Sequence, residues 1–92
     1  PYGTYNNIDE ALINAQRVYK ETQANAIKIE GGIEKASIIR ALTKNGIAVM
    51  GHIGLLPQFV RGGGGYSIKG KDELSKQNII ADAKAIEKAG AF

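Results

Sequence analysis

The chain has 92 residues, 43% hydrophobic and 23% charged, with twelve Lys and Arg against nine Asp and Glu for a formal net charge of +3. That length holds one small domain with a modest core, and the basic residues are spread out rather than massed, so neither nucleic acid nor a membrane surface is indicated as a partner. The absence of cysteine excludes disulfides and thiolate nucleophiles, one histidine argues against a zinc centre built by this chain alone, and no apolar run approaches the roughly 20 residues of a membrane span.

Residues 1–5 carry no periodic pattern. Ile8, Ala11, Leu12, Ala15, Val18 and Tyr19 then recur at three- and four-residue steps and predict a helix over 8–22. Asn7 is placed to cap it, with Glu10 three positions on as in a capping box. Asp9 and Glu10 suit its first turn, as Asp72 and Glu73 suit that of a later helix.

Ala26-Ile27-Lys28-Ile29-Glu30-Gly31-Gly32 reads as a short strand closed by two glycines. Alternation puts Lys28 and Glu30 on one face and Ile27 and Ile29 on the other. Helical patterns on both sides predict a parallel sheet covered by helices, in which both faces of a strand are usually buried. Ionised groups are costly there unless paired or bound to a metal. Lys28 and Glu30 are therefore either each other's partners or the lining of a site.

A second helix is predicted over 33–44, with Ile38, Ile39 and Leu42 inward and Asn45-Gly46 closing it. Residues 47–53 form the second strand, with Met50 and His52 on one face and His52 at the carboxyl end. Residues 54–70 are a connection far longer than the usual two to about six residues. Within it, Arg61 and the run Gly62 to Gly65 fit a lid or hinge better than a phosphate cradle, because the Gly-Lys-Ser/Thr ending and the dinucleotide spacing are both missing. Phe59 and Tyr66 are read as anchors of that connection. A third helix is predicted over 72–88, with Leu74, Ile79, Ile80, Ala83 and Ile86 inward and Gly90 as its stop. Ala89-Gly90-Ala91-Phe92 then repeats the earlier helix-to-strand junctions.

The order is αβαβα. Two parallel strands do not close a sheet, and their free edges invite association. The expectation is a segment of a larger repeating α/β fold, either a (β/α)₈ barrel or an open doubly wound sheet. In both, the carboxyl ends of the strands form the active face. Glu30 lies there and suits a hard cation such as Mg²⁺, with an ion pair to Lys28 as the alternative. Lys28 suits a substrate carboxylate or keto oxygen, or, if desolvated, a Schiff base. His52 suits a substrate contact or a hydrogen-bonded structural role.

Three stretches sharpen this: Lys28-Ile29-Glu30-Gly31-Gly32, Met50-Gly51-His52-Ile53-Gly54-Leu55-Leu56-Pro57-Gln58, and Gly64-Gly65-Tyr66-Ser67-Ile68-Lys69-Gly70-Lys71. In this order and with these gaps, the sequence resembles the ketopantoate hydroxymethyltransferase family from Pro1 to Phe92. Tyr2, Tyr5 and Lys88-Ala89-Gly90-Ala91 fit as well. Leu56, Phe59, Gly62 and Gly63 depart from the family pattern, all within the long connection.

The resemblance implies a (β/α)₈ TIM barrel of the phosphoenolpyruvate/pyruvate type, about 260 residues in all. Residues 1–92 would be a single partial domain, from the third helix to the fifth with strands four and five. The resemblance also implies Mg²⁺-dependent transfer of a hydroxymethyl group from 5,10-methylenetetrahydrofolate to 3-methyl-2-oxobutanoate, giving ketopantoate for pantothenate synthesis. The expected enzyme is a homo-oligomer, by family a decamer, in the cytoplasm or, in a eukaryote, the mitochondrion. By position, Lys28 would contact the keto acid, His52 would lie beside it, and Glu30 would belong to the magnesium site. Two aspartates before Pro1 and a general-base glutamate after Phe92 complete the implied set, so residues 1–92 alone are expected to be inactive. Two rivals stand beside this reading: an aldolase-type barrel using Lys28 as a Schiff-base nucleophile, and an inactive fragment or interaction module.

Overall fold

The computed structural model describes residues 3–54 and 73–92. The predicted connection beyond Gly54, with Leu56, Phe59, Arg61, Gly62, Gly63, Tyr66 and Asp72, lies outside them. The described elements are α1 (Ile8–Glu21), β1 (Ile27–Glu30), a 3₁₀ turn (Ile33–Lys35), α2 (Ala36–Lys44), β2 (Val49–His52) and α3 (Glu73–Lys88). The predicted αβαβα order is observed, with each helix within a few residues of its expected bounds. The second helix divides, its first three residues winding as 3₁₀.

Local chemistry explains the boundaries. The Asn7 side chain accepts from the Glu10 amide (2.8 Å) and its amide group donates back to the Glu10 carboxylate (3.1 Å), which satisfies one of the free N–H groups of the first turn. At the other end of α2, Asn45 N–H donates to Ala41 O and Leu42 O, and Gly46 turns the chain with a φ of +83°. That left-handed conformation is open to glycine at little cost. The Tyr19 hydroxyl, at the end of α1, donates to Asn25 O (3.0 Å) and accepts from Ala48 N–H (3.0 Å). One side chain thereby ties α1 to the approaches of both strands.

β1 and β2 pair in parallel with Ile27 opposite Val49, Lys28 opposite Met50, Ile29 opposite Gly51 and Glu30 opposite His52. Paired residues share a face. The apolar face carries Ile29 and Val49, which pack with Ile38, Ile39 and Leu42 of α2, Ala11 and Ala15 of α1, and Ile86 of α3. Ile39, Leu42 and Val49 are almost fully buried, each worth roughly 1.5–3 kcal/mol. Gly51 has no side chain where one would overlap Ile86, so the Ile86 side chain of α3 packs against the strand there.

The chain re-enters the sheet at its far edge. Phe92 N–H donates to Val49 O and Gly51 N–H donates to Phe92 O, both at 2.9 Å. This is the pattern of a parallel bridge and sets Phe92 abreast of Met50. The junction read in Ala89-Gly90-Ala91-Phe92 thus begins a third strand position beside β2.

Among the described residues the helices cover one face of the strands, and the opposite face carries Lys28, Glu30, Met50 and His52; Lys28 is exposed and Met50 is 45% exposed. The predicted inner stripes are corrected: they are too wide. Ile8 and Val18 on α1 and Leu74 and Ile80 on α3 are exposed. α3 meets the rest of the chain through Asp82, Ile86 and Ala89. Leu74 lies about two turns before that contact, and Ile80 is turned away from Ile86 by the helical period. Val18 faces a cleft of about 280 Å³ between α1 and the unpaired edge of β1.

Candidate functional site

The strand register brings the charged residues together. Glu30 and His52 end their strands side by side, with Glu30 Oε1 3.6 Å from His52 Nδ1. That is an ion pair when the imidazole is protonated, but it is too long for a hydrogen bond. Their side chains are 19% and 34% exposed. Glu30 Oε2 and His52 Nδ1 are nonetheless buried and have no hydrogen-bond partner. An unpartnered buried polar atom costs about 1–3 kcal/mol, and native structures rarely keep one without a reason. Two of them at the carboxyl ends of adjacent parallel strands mark a candidate site.

Lys28 stands on the same face one pleat below, opposite Met50. It makes no ion pair among the described residues, so the alternative in which Lys28 neutralises Glu30 is not what forms; the carboxylate sits beside the histidine instead. The cleft between α1 and the edge of β1 also touches Lys28, but it lies along the strand rather than at the ends where Glu30 and His52 meet.

The turn after Glu30 is held from several sides. Gly31 N–H donates to His52 O (3.0 Å), extending the ladder one residue past the strand, and Gly31 has a φ of +132°. Gly32 N–H donates to the Glu34 carboxylate (3.0 Å) and Ile33 N–H donates to Asp82 Oδ1 (3.0 Å). The Tyr5 hydroxyl reaches Glu30 O at 3.5 Å, while Lys35 Nζ donates to Tyr5 O (3.4 Å) and lies 5.1 Å from the centre of its ring. The amides that open a helix would hold an anion; here the chain's own carboxylates hold them.

Asp82 was not legible as a site residue. Its partner is 49 positions away in the sequence, and no local pattern encodes such a contact. The one sequence signal is Gly32 itself, which has no side chain where the Asp82 carboxylate sits.

The donor set fits a hard divalent cation in one respect: Glu30 Oε2 is a buried oxygen with nothing else to bond. No group of three His, Asp or Glu side chains able to enclose a metal is found among the described residues. Glu30 can thus supply one ligand and not a whole site.

The family model described as ketopantoate hydroxymethyltransferase matches residues 1–92. The chain is 60% identical over its full 92 residues to a 3-methyl-2-oxobutanoate hydroxymethyltransferase of Aliarcobacter butzleri, covering 34% of that protein. It is 58% identical over 92 residues to the protein of the same name from Wolinella succinogenes, covering 35% of it. Against one from Helicobacter pylori the identity is 57% over 91 residues, 99% of this chain and 34% of the relative. The chain therefore spans about a third of the length of the curated relatives it matches.

Proposed function

The chain belongs to the ketopantoate hydroxymethyltransferase family, and from that premise we propose that it supplies part of the active site of a full-length enzyme transferring a hydroxymethyl group to 3-methyl-2-oxobutanoate. The observation that carries this reading is the meeting of Glu30 and His52 at the carboxyl ends of β1 and β2, each with a buried polar atom unpartnered. In the proposed (β/α)₈ barrel, β1 and β2 are strands four and five, and Phe92 opens the sixth. The face without helices then lines the barrel interior. Lys28, exposed among the described residues, would there look into the substrate chamber.

Mg²⁺ bound at this face would polarise the keto oxygen and stabilise the negative charge left when the C3 proton departs. Glu30 contributes its free oxygen to that ion. Lys28 holds the substrate carboxylate by its positive charge, orienting C3 toward the one-carbon donor, which we take to be 5,10-methylenetetrahydrofolate. His52 stands beside Glu30 at the substrate's edge. The general base, the remaining metal ligands and the decameric assembly belong in this reading to parts of the full-length protein outside residues 1–92, and its proposed location is the cytoplasm. The carboxylate two residues along, on the same face, favours this ion-pairing role over a Schiff-base nucleophile, which requires a desolvated amine.

Hydrogen-isotope exchange at C3 of 3-methyl-2-oxobutanoate, followed in the full-length protein, tests the proposal. Exchange should require Mg²⁺, stop on chelation, and fall by at least about 100-fold in Glu30→Ala, since loss of even an outer-shell partner of a metal ligand costs about 10–100-fold. Undiminished exchange in that variant removes Glu30 from the role. Borohydride trapping of substrate on Lys28 would replace the reading with the aldolase alternative.

A further inference from the structure

We propose that Asp82 is a positioning residue, reaching from α3 to clamp the turn that follows Glu30 and so setting where the Glu30 carboxylate stands. This rests on the role given to Glu30 above and adds a residue to it. Three observations carry it. Asp82 Oδ1 accepts from Ile33 N–H at 3.0 Å, a charge-assisted bond at the first turn of the 3₁₀–α2 segment. The Asp82 carboxylate occupies the volume a side chain on Gly32 would take, so a residue without a side chain at this position makes room for it. The neighbouring amides of Gly31 and Gly32 are bound by His52 O and Glu34.

The three successive amides after Glu30 are therefore tied to β2, to the turn itself and, through Asp82, to α3. The same helix leads through Ala89 to Phe92, which pairs with β2. Asp82 thereby couples the Glu30 turn to the strand position that Phe92 takes beside β2. Without it, the turn keeps two of its three ties, and the carboxylate stays on its strand but loses its fixed aim.

A second contact between the same helices provides the control. Thr43 Oγ1 donates to Ala89 O at 2.9 Å near the other end of α2, on the side away from Glu30. In the full-length protein, Mn²⁺ titration by electron paramagnetic resonance, with Mn²⁺ standing for Mg²⁺, and steady-state kinetics are compared across Asp82→Ala, Asp82→Asn and Thr43→Ala. Asp82→Ala should raise the half-saturating Mn²⁺ concentration and the KM for 3-methyl-2-oxobutanoate by roughly tenfold, the low end for outer contacts of a metal ligand, with a much smaller change in kcat. Asp82→Asn retains an oxygen able to accept from Ile33 N–H and should recover most of the loss. Thr43→Ala should lower the unfolding temperature while leaving both affinities within about twofold.

Wild-type affinities in Asp82→Ala, or an equal loss in Thr43→Ala, overturn the proposal. If Asp82→Ala does not fold, Asp82→Leu, which keeps the bulk and removes the acceptor, carries the comparison, and wild-type affinity in it overturns the proposal. A wild-type protein that binds Mn²⁺ but exchanges no C3 hydrogen refutes the proposed reaction while the Mn²⁺ arm still decides the role of Asp82. A wild-type protein that binds no Mn²⁺ overturns both.

Discussion

Glu30 is the residue on which the functional reading turns, and its surroundings show how a short strand presents a carboxylate. Ile29 is buried against the helices, so alternation leaves Glu30 no choice of face. Register then decides its neighbour: a shift of one residue would place Gly51 beside it instead of His52. Gly32 is under an equally local constraint from the Asp82 carboxylate. A methyl group at that position must displace the Asp82 carboxylate, the turn or α3. Gly32→Ala in the full-length protein is therefore expected to cost about 1–3 kcal/mol, as for other overpacked sites, and thermal or urea unfolding would show it. An unchanged midpoint would mean that the Asp82 contact gives way freely.

At the scale of elements, the helices are specified by their ends as much as by their stripes. Asn7 makes a reciprocal pair of bonds with Glu10, and Asn7→Ala should lower stability by about 1 kcal/mol, measured by urea unfolding. A loss near zero would show that packing alone holds the start of α1. α2 is the central element, since Ile38, Ile39 and Leu42 all lie within the core. α3 is attached differently, through Asp82, Ile86, Ala89 and the bond from Thr43, with Leu74 and Ile80 left outside. Helical periodicity identifies which residues share a face, but it does not say how much of that face a neighbour reaches. That is why the predicted stripe of α3 is longer than the buried one.

The described residues form a parallel ribbon with helices on one face and a chemically equipped opposite face. Among them, the outer edge of β1 has no strand paired to it and is bordered by an apolar cleft, and Phe92 makes the first hydrogen bonds on the other side of β2. Both features suit insertion between further strands. No set of three metal-binding side chains occurs among the described residues. On the proposed function, the 92-residue chain by itself is expected to catalyse no C3 exchange with 3-methyl-2-oxobutanoate, and the full-length protein is expected to catalyse it. Mg²⁺-dependent exchange by the 92 residues alone would show that the site needs nothing beyond them. No helix among the described residues is long and apolar enough to cross a membrane.

The order of elements, the caps at Asn7 and Asn45-Gly46, and the facing of Lys28 with Glu30 and of Met50 with His52 could all be read from the chain. They depend on periodicity and on hydrogen bonds made within a few residues. The family was legible for a related reason: three motifs kept their order and spacing along the chain. What the tertiary structure decided was pairing across distance. Parallel register set Glu30 beside His52 and left Lys28 without an ion pair among the described residues, and the packing of α3 brought Asp82 onto Gly32 and Ile33. Such contacts join residues more than 20 positions apart. Their partners are chosen by how helices settle on a sheet, and no local preference records that choice.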